Sequence, residues 1–386
     1  MHSKNWPVGV IMSETGVTGA IEKTQIAAVR LAINEINAAG GVAGRLIEPA
    51  YVDPQSTPKL YCDLTRDLCR DRDIRVFFGG HMSSTRKAMM PVIEAQNAVL
   101  FYPTLYEGFE YSPNCIYTGA APNQNSVPLV DYLYDEVGKS IFLVGSDYVY
   151  PYESNRIVAD LFASKGGRVL DELYVPLALT DAHIKTILER IDACKPDQIY
   201  STIVGDGIVA FYNAFKEAGY NPETKPISSQ STSEIDVVRM QPGAADGHII
   251  AAPFFNSLER ASAKAFTQAL SASTPDGLPT TAPAEAAYFS VHLYAKALAL
   301  AGADTRNELL AALYEVEFDA PQGPVRIDRF TNHAHLWPRV ARIREGKPYE
   351  IVCKPTERVA PDPFLVKILS EELSESYDVE QTGTEF

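Results

Sequence analysis

Long apolar runs are missing from this 386-residue chain, and none approaches the about 20 apolar residues needed to cross a bilayer. No membrane insertion is expected. Lys/Arg clusters long enough to follow a phosphate backbone are missing too, and the net charge of −15 works against direct nucleic-acid binding. Cysteine is scarce: Cys62, Cys69, Cys115, Cys194 and Cys353 are odd in number and widely scattered. Cys62 and Cys69 share one face of a helical stretch about two turns apart, too far for a bridge, so reduced thiols in a cytosol are expected. The start Met1-His2-Ser3-Lys4-Asn5-Trp6 lacks the apolar core of a secretory signal. The expectation is a cytoplasmic protein, or a periplasmic one if a leader has been removed.

Catalytic signatures are equally sparse. There is no G-x-S-x-G elbow, Walker loop or H-E-x-x-H, and the glycines at 40, 41 and 44 do not make a dinucleotide fingerprint. An amidase would need a nucleophile with a positioned base, and none is evident. Neither enzymatic activity nor a cofactor is therefore expected. His333-x-His335 is the one metal-like spacing; without a nearby cysteine or clear acidic partner it reads as a surface pair in a strand or loop, and no metal is expected. Glu14, Glu107 and Glu110 read as residues that cap helix starts or brace loops.

What is present is a regular α/β alternation. At 46% hydrophobic and 22% charged residues the chain is globular, and its length exceeds what one core usually supports. Strand Val8 to Met12 leads through Ser13-Glu14-Thr15-Gly16 into a helix whose Ile26, Val29, Ile33 and Ile36 follow the helical period. The pattern repeats through Leu46 to Val52, Lys59 to Arg72, Ile74 to Phe78, Ser83 to Asn97 and Ala98 to Tyr102, which predicts a doubly wound parallel sheet. A second α/β series runs from about Val127 to Ser229. The long helices after Ser257 and Pro283 are expected to return to the first domain, and Pro324 to Ile327 and Val340 to Ile343 to complete the second. The expected domains are 1–122 plus about 254–323, and 123–253 plus about 324–386, with a three-segment hinge.

Open parallel sheets bind ligands beyond the carboxyl ends of their strands, so both sets of ends should face one interdomain cleft. In the first domain, Gly79-Gly80 precede Ser83, Ser84 and Thr85, where hydroxyls and unpaired N–H groups gather at a helix start. The next strand delivers Tyr102 and Thr104 to the same edge. In the second domain the loops Gly145-Ser146-Asp147-Tyr148-Val149-Tyr150-Pro151, Val204-Gly205-Asp206-Gly207 and Gln230-Ser231-Thr232-Ser233-Glu234 are again polar and aromatic. Donors facing phenols suit a small flat ligand.

These residues carry a resemblance at motif level over nearly the whole chain. Ser13 to Thr18, Met82-Ser83 with Thr85 to Ala88, Tyr102-Pro103-Thr104 with Tyr106 to Asn114, Ala121 to Asn125, Ser146-Asp147-Tyr148 with Tyr150-Pro151, and Asp319 to Arg326 resemble the amide-binding regulators of aliphatic amidase operons. The resemblance implies a type I periplasmic-binding-protein fold, related to the binding components of urea and short-chain amide transporters. It implies that Ser83 holds the amide through hydroxyl and backbone N–H, that Tyr102, Thr104, Tyr148 and Tyr150 line and close the pocket, and that Val204 and Gly205 form the opposite wall. It also implies a sensor that controls amidase expression by sequestering an RNA-binding antiterminator, with a transporter's substrate-binding component as the alternative. The chain departs from the pattern at His81, where the family has tyrosine, at Asp206, where it has threonine, and at Gln230 and Ser231. These changes point towards urea, formamide or another polar amide. Asp206 in a Gly-Asp-Gly turn is expected to face solvent, whereas His81 and Thr232 are expected in the pocket. Oligomeric state, a homo-oligomer included, is left open.

Overall fold

The computed structural model describes residues 5–344 and 347–366. The first lobe begins with β1 (Trp6–Ile11), α1 (Gly19–Ala38), β2 (Ile47–Val52), α2 (Pro58–Arg72), β3 (Val76–Gly79), α3 (Ser83–Ala95), β4 (Val99–Tyr102) and β5 (Cys115–Tyr117). Their strands pair in parallel in the order β2-β1-β3-β4-β5. Every residue of β3 and β4 is buried, as befits central strands covered by helices on both faces. Gly79 ends β3 at φ +151, where a Cβ would lie 2.0 Å from the Ile11 carbonyl oxygen. Only glycine lets the chain pass that close to β1 and turn into α3.

The second lobe follows with α4 (Ser126–Glu136), β6 (Ser140–Ser146), α5 (Val149–Ser164), β7 (Arg168–Val175), α6 (Asp181–Cys194), β8 (Gln198–Thr202), α7 (Asp206–Glu217), β9 (Ile227–Ser229), α8 (Glu234–Val237) and β10 (Ile249–Ala252). The chain then forms α9 (Ala261–Ala272), α10 (Ala282–Ala301), α11 (Arg306–Leu313), β11 (Glu317–Ala320), β12 (Gly323–Ile327), β13 (Ala334–His335), β14 (Arg339–Arg344) and β15 (Lys347–Cys353). The second sheet has the order β15-β14-β10-β9-β8-β6-β7; its pairings are parallel except for β10 with β14 and β14 with β15, which are antiparallel. α10 lies on α1, and its Tyr294 meets Phe78 and Phe101 edge-on, so the helices after Ser257 and Pro283 do return to the first lobe.

The expected boundary near 323 is corrected. β12 joins β11 and β13 in a separate three-stranded antiparallel sheet instead of completing the second lobe. Val325, Ile327, Ala334 and Leu336 sit in the core of the first lobe, so the third crossing falls between Leu336 and Arg339. After β15 the chain comes back along the hinge: Val359 bridges to Leu336, Ala360 accepts from Asn123, and Pro363 accepts from the Phe109 N–H. Of the stretch 324–386 assigned to the second lobe, β14 and β15 belong there, 324–336 do not, and residues 367–386 lie outside the described ones.

His333 and His335 are also corrected: both are buried. His333 stacks on Tyr117 at 4.3 Å between ring centroids and shares a hydrogen bond with the Tyr106 hydroxyl, and burial takes its pKa down to about 4. Among the described residues no cluster of His, Cys, Asp or Glu has the arrangement of a metal site, no helix is long and apolar enough to cross a membrane, and all five cysteines are free thiols.

Candidate functional site

The carboxyl ends of β3, β4, β6, β8 and β9 converge on a cleft between the lobes. It holds about 880 Å³ of empty space, part of it open to solvent. From the first lobe it is lined by His81, Ser83 and Thr104, and from the second by Asn125, Tyr148, Tyr150, Val204, Gln230 and Thr232.

Ser83 is the first residue of α3, and the N–H groups of Thr85 and Arg86 already turn back to the Met82 carbonyl. The N–H groups ahead of them precede the helical ladder and point at the helix mouth, where an acceptor such as a carbonyl oxygen is favoured. The Ser83 hydroxyl donates to Glu107 Oε2. Beneath it lies Arg86, fully buried, which bonds Glu110 through Nε at 2.9 Å and Glu107 through Nη2 at 3.3 Å, and sits 4.7 Å from the Tyr102 and Tyr106 ring centroids. Burial raises the Glu110 pKa, but the charges and hydrogen bonds of Arg86 and Lys87 prevail and bring it down to about 2.

His81 meets Gln25 Oε1 through Nδ1 at 3.2 Å, and Gln25 Nε2 in turn donates to the Thr104 hydroxyl at 3.2 Å. With the Gln25 oxygen turned to the ring, the bond is made by the tautomer that carries its proton on Nδ1. Burial lowers the His81 pKa to about 4, so the ring is neutral at pH 7. On the opposite wall, Tyr148 and Tyr150 lie 6.2 Å apart at the start of α5. The Tyr150 hydroxyl and the Asn125 amide nitrogen are buried without a hydrogen-bond partner; Ser154 lies near that hydroxyl without completing a bond. Both residues line the cleft. Glu234 also lines it, and burial pushes its carboxyl up to about 8 in spite of a bond from the Asn256 N–H.

Three of the expected site residues stand elsewhere. Tyr102 is behind the wall, its hydroxyl donating to the His81 carbonyl and its ring over Arg86. Gly205 caps α7 beside a smaller recess shared with Val17, Thr18 and Arg239. Asp206 is exposed and paired with Arg239 at 2.5 Å, as the solvent-facing reading expects, although at a helix start instead of a turn. Ser83, Thr104, His81, Tyr148, Tyr150, Val204 and Thr232 are brought together. Missing from the expected site were Asn125 and Gln230 as lining residues and Glu107 as the partner of Ser83. Asn125 and Gln230 sit in the loops singled out by sequence, so only their direction was hidden.

Two doubly wound lobes with the strand ends of both facing one polar cleft define a two-lobed solute-binding protein. The chain belongs to the family described as periplasmic binding protein domain, whose pattern matches residues 6–370. Among curated relatives, a Leu/Ile/Val-binding protein homolog of Brucella suis is 21% identical over 294 residues, covering 74% of this chain and 75% of its own. Among solved structures, a solute-binding protein of an ABC transporter from R. palustris in complex with 4-hydroxybenzoate superposes with a TM-score of 0.84 at 21% identity, covering 94% of this chain and all (100%) of that one. The branched-chain amino acid transporter substrate-binding protein of Streptococcus pneumoniae in complex with isoleucine gives a TM-score of 0.79 at 21% identity, covering 91% and 100%. Both likenesses concern the fold.

Proposed function

We propose that this chain is the substrate-binding component of an ABC transporter for a short-chain aliphatic amide or urea, carrying the solute without transforming it. The observation that carries the ligand class is the charge of the cleft. Among the described residues that line it there is no Lys or Arg, His81 is neutral at pH 7, and Glu234 is held protonated. A cleft without a formal charge suits a neutral ligand, whereas an amino acid or benzoate would bring a carboxylate with no cation to meet it. Backbone N–H groups at Ser83 and the Asn125 amide N–H can donate to an acceptor, and the Tyr150 hydroxyl can accept from an N–H, which together suit a planar molecule with both an acceptor and an NH₂ group. The transporter role is supported by the family and by structures of the same fold that are named as solute-binding proteins of ABC transporters.

A ligand of about four heavy atoms at a ceiling of roughly 1.5 kcal/mol per atom gives about 6 kcal/mol, a dissociation constant of order tens of micromolar. Calorimetry with formamide, acetamide, propionamide, butyramide and urea should show such binding. Binding of leucine or benzoate without any amide or urea would overturn the assignment.

The second reading is a cytoplasmic amide sensor that sequesters an RNA-binding antiterminator, favoured by five free thiols, a pattern at home in a reducing compartment, and by the motifs shared with amidase regulators. The two share a pocket and differ in partner. Size-exclusion with a neighbouring antiterminator, with and without amide, separates them: an amide-sensitive complex selects the sensor, and docking to a permease selects the transporter.

A further inference from the structure

The buried ion network under Ser83 has no contact with the cleft of its own, yet it decides what Ser83 can offer. A serine oxygen has one hydrogen to donate and two lone pairs to accept with. Here the hydrogen goes to the Glu107 carboxylate, which is salt-bridged to Arg86 and acts as an acceptor. One lone pair takes the Arg86 Nη1–H at 3.3 Å. What remains for the cleft, which Ser83 lines, is the second lone pair. Arg86 cannot turn away to release the hydroxyl, because its guanidinium also bonds both Glu110 oxygens, at 2.9 and 3.2 Å, and is enclosed by the rings of Tyr102 and Tyr106. Glu110 is itself held by the Tyr117 hydroxyl at 3.0 Å and by Lys87.

We infer that Glu107 is a positioning residue for specificity: by fixing the Ser83 hydroxyl as an acceptor towards the cleft, it selects ligands that carry an N–H donor over carboxylates of the same shape. This rests on the amide reading above and deepens it. Acetamide and acetate are isosteric, and both can place one oxygen on the backbone N–H groups at the start of α3. The remaining group of acetamide is an NH₂ that donates to the Ser83 lone pair. That of acetate is a second oxygen, whose lone pairs face the lone pair of Ser83. A serine free to rotate would donate to acetate; this serine has its hydrogen committed.

The test is calorimetric titration of acetamide and acetate into wild-type protein, Glu107→Gln and Glu107→Asp, with the melting temperature of each as the folding control. The glutamine can present its NH₂ to Ser83 and release the hydroxyl to donate into the cleft. The aspartate keeps the negative charge for Arg86 but withdraws it from Ser83, so it separates hydroxyl direction from charge repulsion and serves where the glutamine variant does not fold. Wild type should prefer acetamide strongly, and the acetamide-to-acetate affinity ratio should fall by about tenfold or more in either variant, the worth of one such hydrogen bond. A merely structural role would weaken both ligands together and leave the ratio unmoved. An unchanged ratio in the folded variants, with acetamide binding to wild type intact, overturns the role of Glu107 alone. Wild-type protein that binds neither acetamide nor urea overturns the proposed function, and this inference with it.

Discussion

Tyr150→Phe should push ligand affinity and unliganded stability in opposite directions. Tyr150 is 4% exposed and its hydroxyl has no hydrogen-bond partner. A buried hydroxyl left unpaired costs about 1–3 kcal/mol, whereas one bonded to a neutral ligand returns roughly 0.5–1.5 kcal/mol. Removing it deletes the bond to the ligand and, in the unliganded protein, the cost of leaving that hydroxyl unpaired. The two effects add in the binding cycle to about 1.5–2.5 kcal/mol, so the dissociation constant for acetamide or urea should rise roughly ten- to seventyfold by calorimetry. The unliganded protein should lose none of its stability and gain about 1 kcal/mol, which for a chain of this length moves the melting temperature up by only about 1 °C. The ring, which keeps its place beside Tyr148, should preserve the fold. If the phenylalanine variant binds as tightly as wild type, the hydroxyl does not touch the ligand. If instead the unliganded variant is destabilised by more than about 1 kcal/mol, the hydroxyl has a protein partner and the reasoning fails.

Gly205→Ala should keep the lobes from closing, since a Cβ there would stand 2.3 Å from the Val17 carbonyl oxygen across the smaller recess between the lobes and the residue has φ +64; the expected result is a folded protein whose affinity falls about tenfold or more and whose radius of gyration, by small-angle scattering, no longer shrinks with ligand. Asp206→Ala should change affinity by less than about twofold, because its carboxylate is committed to an exposed pair with Arg239 and does not line the cleft. Burial raises the Glu285 carboxyl from 4.5 to about 8, so the folded state holds the proton that the unfolded chain has already lost; this group's contribution is full below pH 4.5 and is lost as pH rises to about 8. Glu285→Gln should therefore flatten the fall in stability over that window in denaturant titrations at several pH values, and an unchanged slope would contradict it.

The fold was legible where burial leaves a one-dimensional trace. Strands such as β3, β4 and β6 are continuous apolar runs, and the helix stripe of Ile26, Val29 and Ile33 has the right period, so the two doubly wound lobes could be read directly. Pro324 to Ile327 was assigned to the wrong lobe, because strand character says nothing about which strand will pair with it. Its partner proved to be its sequence neighbour β11, across a tight turn, and that local pairing took it out of the second sheet. His333 was misplaced for a related reason. Its burial comes from Tyr106 and Tyr117, more than 200 positions earlier in the chain, and nothing in the letters around it announces them.

The site divides along the same line. That Ser83, Thr104, Tyr148 and Tyr150 gather follows from topology, since each stands just beyond the carboxyl end of a parallel strand or at the helix start that follows one. The direction in which a residue faces is a different matter. In β4 both faces are buried, so alternation between Phe101 and Tyr102 gives no polarity signal, and Tyr102 turned out to brace Arg86 and His81 from behind the wall. Glu107 was legible only as a residue that braces a loop, which it does; that it also receives the Ser83 hydrogen depends on Arg86 being buried between two carboxylates and two phenol rings. The pocket's outline is therefore a property of the fold, while the proposed choice between an amide and a carboxylate would rest on one proton, held by a network that does not itself line the cleft.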